Sequence, residues 1–221
     1  MSKVEVELVS DRTAETRSDQ GFLKVRRYTL RTVYADGTKS AEYNYDIVDR
    51  TALDAVVMVL FAANEHNPAD PYVCVRTALR PPVALRAKRK LAIREEPTAL
   101  LWELPAGLIE ANEPESDPVR ATAARECEEE TGYRVAISAF SILGPSVFLS
   151  PGLCAEKIHF ALAQVDRSQP RHVTATETVE LASTMQWITL AEAKKWMADG
   201  TLQDAKTEVA LTRFERWLTA R

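Results

Sequence analysis

Three glutamates, Glu126, Glu129 and Glu130, lie within the run Arg125-Glu126-Cys127-Glu128-Glu129-Glu130-Thr131-Gly132. On a helix turning about 100° per residue, positions i, i+3 and i+4 share one face, so the three carboxylates stand together and Glu128 points away. Beside them Ala123, Ala124 and Cys127 form a stripe of small residues, which lets such a helix lie close on a sheet. Like charges one turn apart destabilise a helix by some tenths of a kcal/mol. Arg125 can reach Glu129, but it comes first in the chain, which is the weaker order for an ion pair. Something else should neutralise the cluster. A hard divalent cation does so with oxygen ligands, and Mg²⁺ typically takes a few carboxylates together with waters and substrate phosphates. The competing reading is a solvated acidic helix face.

The elements that would position these carboxylates are legible from pattern. Asp117 suits a helix N-cap, Pro118 the first helical position, and Gly132 the residue just past the end. Residues 54–63 and 72–79 read as buried strands, separated by the turn-like stretch 64–71. Residues 136–143 and 157–165 are expected to be further strands. Helices are expected over 190–199 and 205–220, separated by Gly200. Strands and helices mixed in this way predict an α/β sandwich with a mixed sheet. Before it, Val4, Val6 and Leu8 alternate with glutamates, and 25–34 and 42–48 are rich in β-branched and aromatic residues around a turn at Asp36-Gly37. The expected division is a small antiparallel β unit at 1–50 and a larger domain at 51–221. A basic stretch, 86–94, reads either as a solvated loop or short helix, or as a substrate-gating or interface insertion.

Bulk properties narrow the function classes. A chain of 221 residues can bury a sizeable core. Its net charge of −4 argues against a protein that coats nucleic acid. The longest apolar run, 56–63, is too short to span a bilayer. The first residues carry charges where a secretion signal needs an apolar stretch. Cys74, Cys127 and Cys154 are widely spaced and form no metal-ligand pattern with His66, His159 or His172. A reduced cytoplasm is the expected setting.

Upstream of the glutamate helix stands Glu103-Leu104-Pro105-Ala106-Gly107, and Glu113 follows six residues after Gly107. Gly107, Glu113 and Arg125-Glu126-x-x-Glu129-Glu130-x-Gly132 together resemble the Nudix box, with Cys127 and Tyr133 at its two apolar positions. The R-E-x-x-E-E-x-G portion alone arises on the order of once in a million windows by chance. The pattern departs in one place: eleven residues separate Glu113 from Arg125 where the family has seven, so four extra residues precede the helix. Within that family the chain is most similar to the ADP-ribose and nucleotide-sugar pyrophosphatases. The resemblance rests on Glu-Leu-Pro-Ala-Gly at 103–107, Ser150-Pro151-Gly152 with Glu156-Lys157-Ile158-His159 after it, and Gly200 to Thr207, which contains Asp204-Ala205-Lys206-Thr207.

The resemblance implies metal-dependent hydrolysis of a pyrophosphate, giving a nucleoside monophosphate and a sugar phosphate. It implies that Glu126, Glu130 and the Ala106 carbonyl ligate Mg²⁺ or Mn²⁺, with Glu129 as a further ligand. Arg125 would orient a glutamate. Gly107, Gly132 and Glu113 would be structural, Glu113 bracing the loop and helix. Arg50 and Arg80, placed before and after the apolar strands, would bind the nucleotide. Glu177 and Glu180 are both candidates for the general base. The N-terminal β unit would pair across a homodimer, lending Arg50 to the neighbouring site. The alternatives are a Nudix hydrolase acting on dinucleoside polyphosphates or capped RNA, and a Nudix-fold binding module without catalysis.

Overall fold

The computed structural model describes residues 5–11, 23–86, 90–93, 98, 100–110, 116–169 and 184–220. The chain divides into two compact units, Met1–Leu53 with Ser150–Glu156, and Asp54–Leu149 with Lys157–Arg221.

The first unit is an antiparallel sheet of β1 (Glu5–Asp11), β2 (Lys24–Val33) and β3 (Tyr43–Asp49), in the order β1-β2-β3. Gly37, at φ 81°, supplies the left-handed residue of the turn after β2. Asp36 accepts from both the backbone N–H and the hydroxyl of Thr38, bonds that hold its carboxyl below the usual carboxylate range. The segment Ser150–Glu156, far away in sequence, belongs to this unit. Val48 donates its N–H to the Leu153 carbonyl at 2.9 Å, and the Tyr45 hydroxyl donates to the Gly152 carbonyl at 2.9 Å.

The second unit is an α/β/α sandwich around one eight-stranded mixed sheet. Its centre is β4 (Asp54–Ala62), which pairs in parallel with β10 (Lys157–Gln164). Side chains of β4 alternate between two cores, as a strand period of two requires. Val57 and Val59 join Val73, Val75 and the helices α3 (Leu190–Asp199) and α4 (Ala205–Thr219), through Ala193, Ala210, Leu211 and Phe214. Val56, Met58 and Leu60 face the other way, onto Ala123 and Cys127 of α2 (Pro118–Thr131). Each fully buried Val, Leu, Met or Phe side chain among these contributes about 1.5–3 kcal/mol.

β4 meets its neighbour β5 (Tyr72–Leu79) for only two pairs, Phe61 with Val73 and Ala62 with Tyr72. Beyond them the two strands part. Into the gap run β6 (Leu100–Glu103), paired with β5, and β7 (Ala106–Ile109), paired with β4. Leu104 and Pro105 make the step from one strand to the next, fixed by the Met58 N–H donating to the Pro105 carbonyl at 2.9 Å. That wedge sets the position of Ala106 and Gly107. At the far edge β11 (Met185–Thr189) pairs antiparallel with β5 and runs directly into α3.

Helix α2 is bounded where the sequence places it. The Asp117 side chain accepts from the Arg120 N–H, Pro118 begins the helix, and Gly132 ends it at φ 76° with its N–H on the Glu128 carbonyl. The expected strand over 136–143 is corrected. Ile137–Ala139 form a 3₁₀ turn, and only β8 (Ser141–Ile142) pairs with β10. The inward residues there are Phe140 and Leu143, three apart, which fits a tight turn and not a two-residue alternation. A second short strand, β9 (Val147–Phe148), also pairs with β10. In the basic stretch Arg86 and Lys90 are exposed, and Pro81–Ala84 before it form the single-turn α1. Lys88, Arg89 and Arg94 lie outside the described residues.

Candidate active site

Packing of α2 against β7 brings the helix carboxylates to the Ala106-Gly107 backbone. Glu130 accepts the Ala106 N–H at 2.8 Å through Oε2. The Glu126 carboxylate lies over Gly107 so closely that a Cβ at position 107 would overlap its Cδ and Cγ. Both side chains are largely enclosed, 15% and 10% exposed for Glu126 and Glu130, whereas Glu129 is 53% exposed. Two carboxylates thus converge on one stretch of β7, and the third stands at the rim.

Arg125 ties the cluster together. Its Nη1 donates to Glu126 at 2.8 Å and to Glu129 at 3.0 Å, while Nη2 reaches the Leu108 carbonyl at 3.3 Å. One guanidinium therefore spans two helix glutamates and the neighbouring strand, a geometry a lysine cannot reproduce. Glu128 points elsewhere and accepts from Arg134 at 2.6 Å.

Two basic groups near this cluster were not among the sequence candidates. Arg76, in the middle of β5, is only 5% exposed and donates to Glu130 Oε1. Lys206, at the start of α4, donates to Glu103 at 2.9 Å and contacts Asp204 at 2.8 Å. A signal for Arg76 existed: an arginine directly after the apolar run Val73-Cys74-Val75, within a strand pattern that continues to Leu79, needs a buried acceptor. Glu103, 2% exposed, takes both Lys206 and the fork of Arg80, whose Nη2 lies 2.5 and 2.6 Å from its two oxygens. Arg80, expected to bind nucleotide, is thus held by a carboxylate while 44% of its side chain stays exposed.

Other expected residues fall elsewhere. Arg50 belongs to the first unit, where it pairs with Glu156. Glu113, Glu177 and Glu180 lie outside the described residues.

The donors at Ala106, Glu126 and Glu130 suit a hard cation, being carboxylate and carbonyl oxygens. The absence of a side chain at 107 leaves room for the Glu126 carboxylate. Among the described residues no three acidic, thiol or imidazole side chains converge as a cation cage. A cation here would draw on two carboxylates, the Ala106 carbonyl, water and a substrate phosphate, a set typical of Mg²⁺.

A layered α/β/α sheet carrying this glutamate helix against a glycine-bearing strand defines a Nudix domain. The model of the NUDIX domain matches residues 75–208, and the chain belongs to the Nudix family. A methanol dehydrogenase activator of Bacillus methanolicus is 35% identical over 109 residues, 49% of this chain and 54% of that protein. An ADP-ribose pyrophosphatase of Haemophilus influenzae is 24% identical over 219 residues, 98% of this chain and 87% of that protein. The chain therefore spans about half the length of the first relative and most of the second. Among solved structures, an ADP compounds hydrolase superposes with a TM-score of 0.61 at 16% identity, covering 99% of this chain and 95% of that one. That likeness is one of fold. Among the described residues no helix is long and apolar enough to cross a membrane.

Proposed function

We propose that this chain, a pyrophosphohydrolase by family, hydrolyses ADP-ribose or a related nucleoside diphosphate sugar to a nucleoside monophosphate and a sugar phosphate. The observation that carries the reading is the convergence of Glu126 and Glu130 on the Ala106-Gly107 backbone. The near full-length similarity to an ADP-ribose pyrophosphatase supports the substrate class.

Glu126, Glu130 and the Ala106 carbonyl would hold a divalent cation, Mg²⁺ or Mn²⁺, with Glu129 at the rim as a further ligand. Such a cation screens the pyrophosphate charge, lowers the pKa of bound water and stabilises the leaving oxygen. Arg125 orients Glu126 and Glu129 by charge-assisted hydrogen bonds. Gly107 keeps the strand clear for Glu126, Gly132 ends the helix just after Glu130, and Glu113 braces the loop. Arg80, 44% exposed and anchored by Glu103, presents a guanidinium edge to a phosphate or base. Glu177 and Glu180 are the candidates to take the proton from the attacking water. The β unit at 1–50 pairs two copies as a homodimer, with Arg50 contributing to nucleotide binding, and the domain at 51–221 carries the chemistry. The cytoplasm is the setting.

The test is AMP release from ADP-ribose with Mg²⁺, comparing the native protein with Glu130→Gln. Rapid release that the substitution abolishes supports the substrate and the glutamate site together. Turnover of a dinucleoside polyphosphate or capped RNA in place of ADP-ribose moves the substrate within the family. Silence on every diphosphate overturns the catalytic reading. Full activity of a monomer in gel filtration overturns the homodimer.

A further inference from the structure

An arginine in the middle of a buried strand needs a reason. Arg76 is flanked by Val75 and Thr77, both buried, and sits opposite Glu103 on β6 and Met185 on β11. Its register partner on β6, Glu103, accepts from Arg80 and Lys206. Arg76 reaches across to α2 and donates to Glu130 Oε1, while the Ala106 N–H occupies Oε2. Both oxygens of Glu130 thus have a donor within the protein. A guanidinium stays charged even when buried, so its attraction for this carboxylate is permanent.

We propose that Arg76 is a positioning residue that acts as a resident counter-cation for the glutamate helix, competing with the divalent cation for Glu130. This rests on the reading of Glu130 as a cation ligand given above. Without a cation, Arg76 offsets the repulsion between Glu126 and Glu130, one turn apart, and aims Glu130 at Ala106. When a cation is ligated by Glu130, it must share an oxygen already held by a donor, and it brings a second positive charge beside the guanidinium. Both effects weaken cation binding. The arrangement gives the protein a preformed glutamate site at the expense of cation affinity, so the site fills chiefly when a phosphate substrate adds its own oxygens.

The test measures Mn²⁺ alone, with no substrate, by the paramagnetic signal of free Mn²⁺ during titration of the full chain. Arg76→Met and Arg76→Gln remove the charge and Arg76→Lys keeps it. Both neutral variants are expected to bind Mn²⁺ about tenfold tighter than the native protein, within the usual range for two ligands coupled through one group. They are also expected to melt at a lower temperature without Mn²⁺ and to regain much of that loss at saturating Mn²⁺. Arg76→Lys should stay near the native affinity. If Arg76→Met does not fold, Arg76→Gln and Arg76→Lys carry the comparison. Native or weaker Mn²⁺ binding in the neutral variants, alongside a native site that Glu130→Gln weakens, overturns the counter-cation role and leaves the cation site standing. A native protein that binds no Mn²⁺, or binds it as well after Glu130→Gln, overturns both.

Discussion

The carboxylate of Glu126 fills the space that a side chain at Gly107 would occupy. Glycine is needed at 107 for close approach, since no positive φ is involved there. Gly107→Ala must therefore push Glu126 away or move β7 off the helix. Overpacking of this kind costs about 1–3 kcal/mol. The expected result is a melting point lower by several degrees and a kcat reduced far more than that stability loss explains. Unchanged kcat with a folded protein would separate Gly107 from the placement of Glu126.

A second expectation concerns Glu103, which is 2% exposed and receives Arg80 and Lys206. Glu103→Gln removes the shared negative charge from two cations. Arg80 can turn to solvent and Lys206 keeps Asp204 at 2.8 Å, so the loss falls below that of a fully buried, abandoned charge. About 1–3 kcal/mol is expected in denaturant unfolding. If Arg80 binds nucleotide, KM should rise together with the loss of its anchor, while Glu103→Asp should restore part of both.

The contrast between Glu130 and Arg76 shows what sequence patterning reveals and what it leaves out. The helix face, its Asp117 cap and its Gly132 stop follow from local rules and spacing, and the structure has them where the residues place them. The apolar runs of β4 and β5 are equally local, and so is the start of α4 at Asp204. The wedge of β6 and β7 between them is a tertiary pairing. Nothing in four-residue strands such as Leu100–Glu103 marks them apart from loop, because their partners are distant in the chain. The run 136–143 failed for the opposite reason. Its apolar residues are dense enough to suggest a strand, but the inward ones are three apart. Arg76 carried a sign in its own composition, yet its partner could come only from the packed structure.

The three cysteines should differ in reactivity. Cys127 lies on the buried face of α2, and burial pushes its thiol up to about 11, with the Glu128 charge adding in the same direction and a Thr131 hydrogen bond opposing. Cys74 is also buried, whereas Cys154 is part exposed. Only the thiolate reacts with disulfide reagents. At pH 8 a thiol titrating near 11 is present as thiolate in only about one molecule in a thousand. One thiol, Cys154, should therefore be labelled quickly in the native protein, with the other two appearing only on unfolding. The sign for pH follows from the same shift. Between the ordinary thiol value and about 11 the unfolded chain loses this proton and the folded chain keeps it, so Cys127 makes stability fall as pH rises through that window. Rapid modification of two thiols in folded protein would contradict the packing of α2.

Arg125 offers the clearest separation of catalysis from stability. Its side chain is 38% exposed, and its bonds run to Glu126, Glu129 and the Leu108 carbonyl. Pairs this accessible contribute little to folding, on the order of 0.2–1 kcal/mol. Removing them frees two glutamates to turn away from the Ala106-Gly107 backbone or to repel each other. Loss of such an orienting partner typically costs about 10–100-fold in cation affinity or activity. Arg125→Ala is accordingly expected to melt within a few degrees of the native protein while losing at least tenfold in kcat. Arg125→Lys should recover little, because one ammonium cannot reach two carboxylates and a carbonyl at once. If activity survives in Arg125→Ala, the glutamates are held by the helix and strand alone, and the fall in Arg125→Lys should vanish with it. If stability falls as steeply as kcat, the guanidinium belongs to the packing of α2 on β7 and its orienting role is lost.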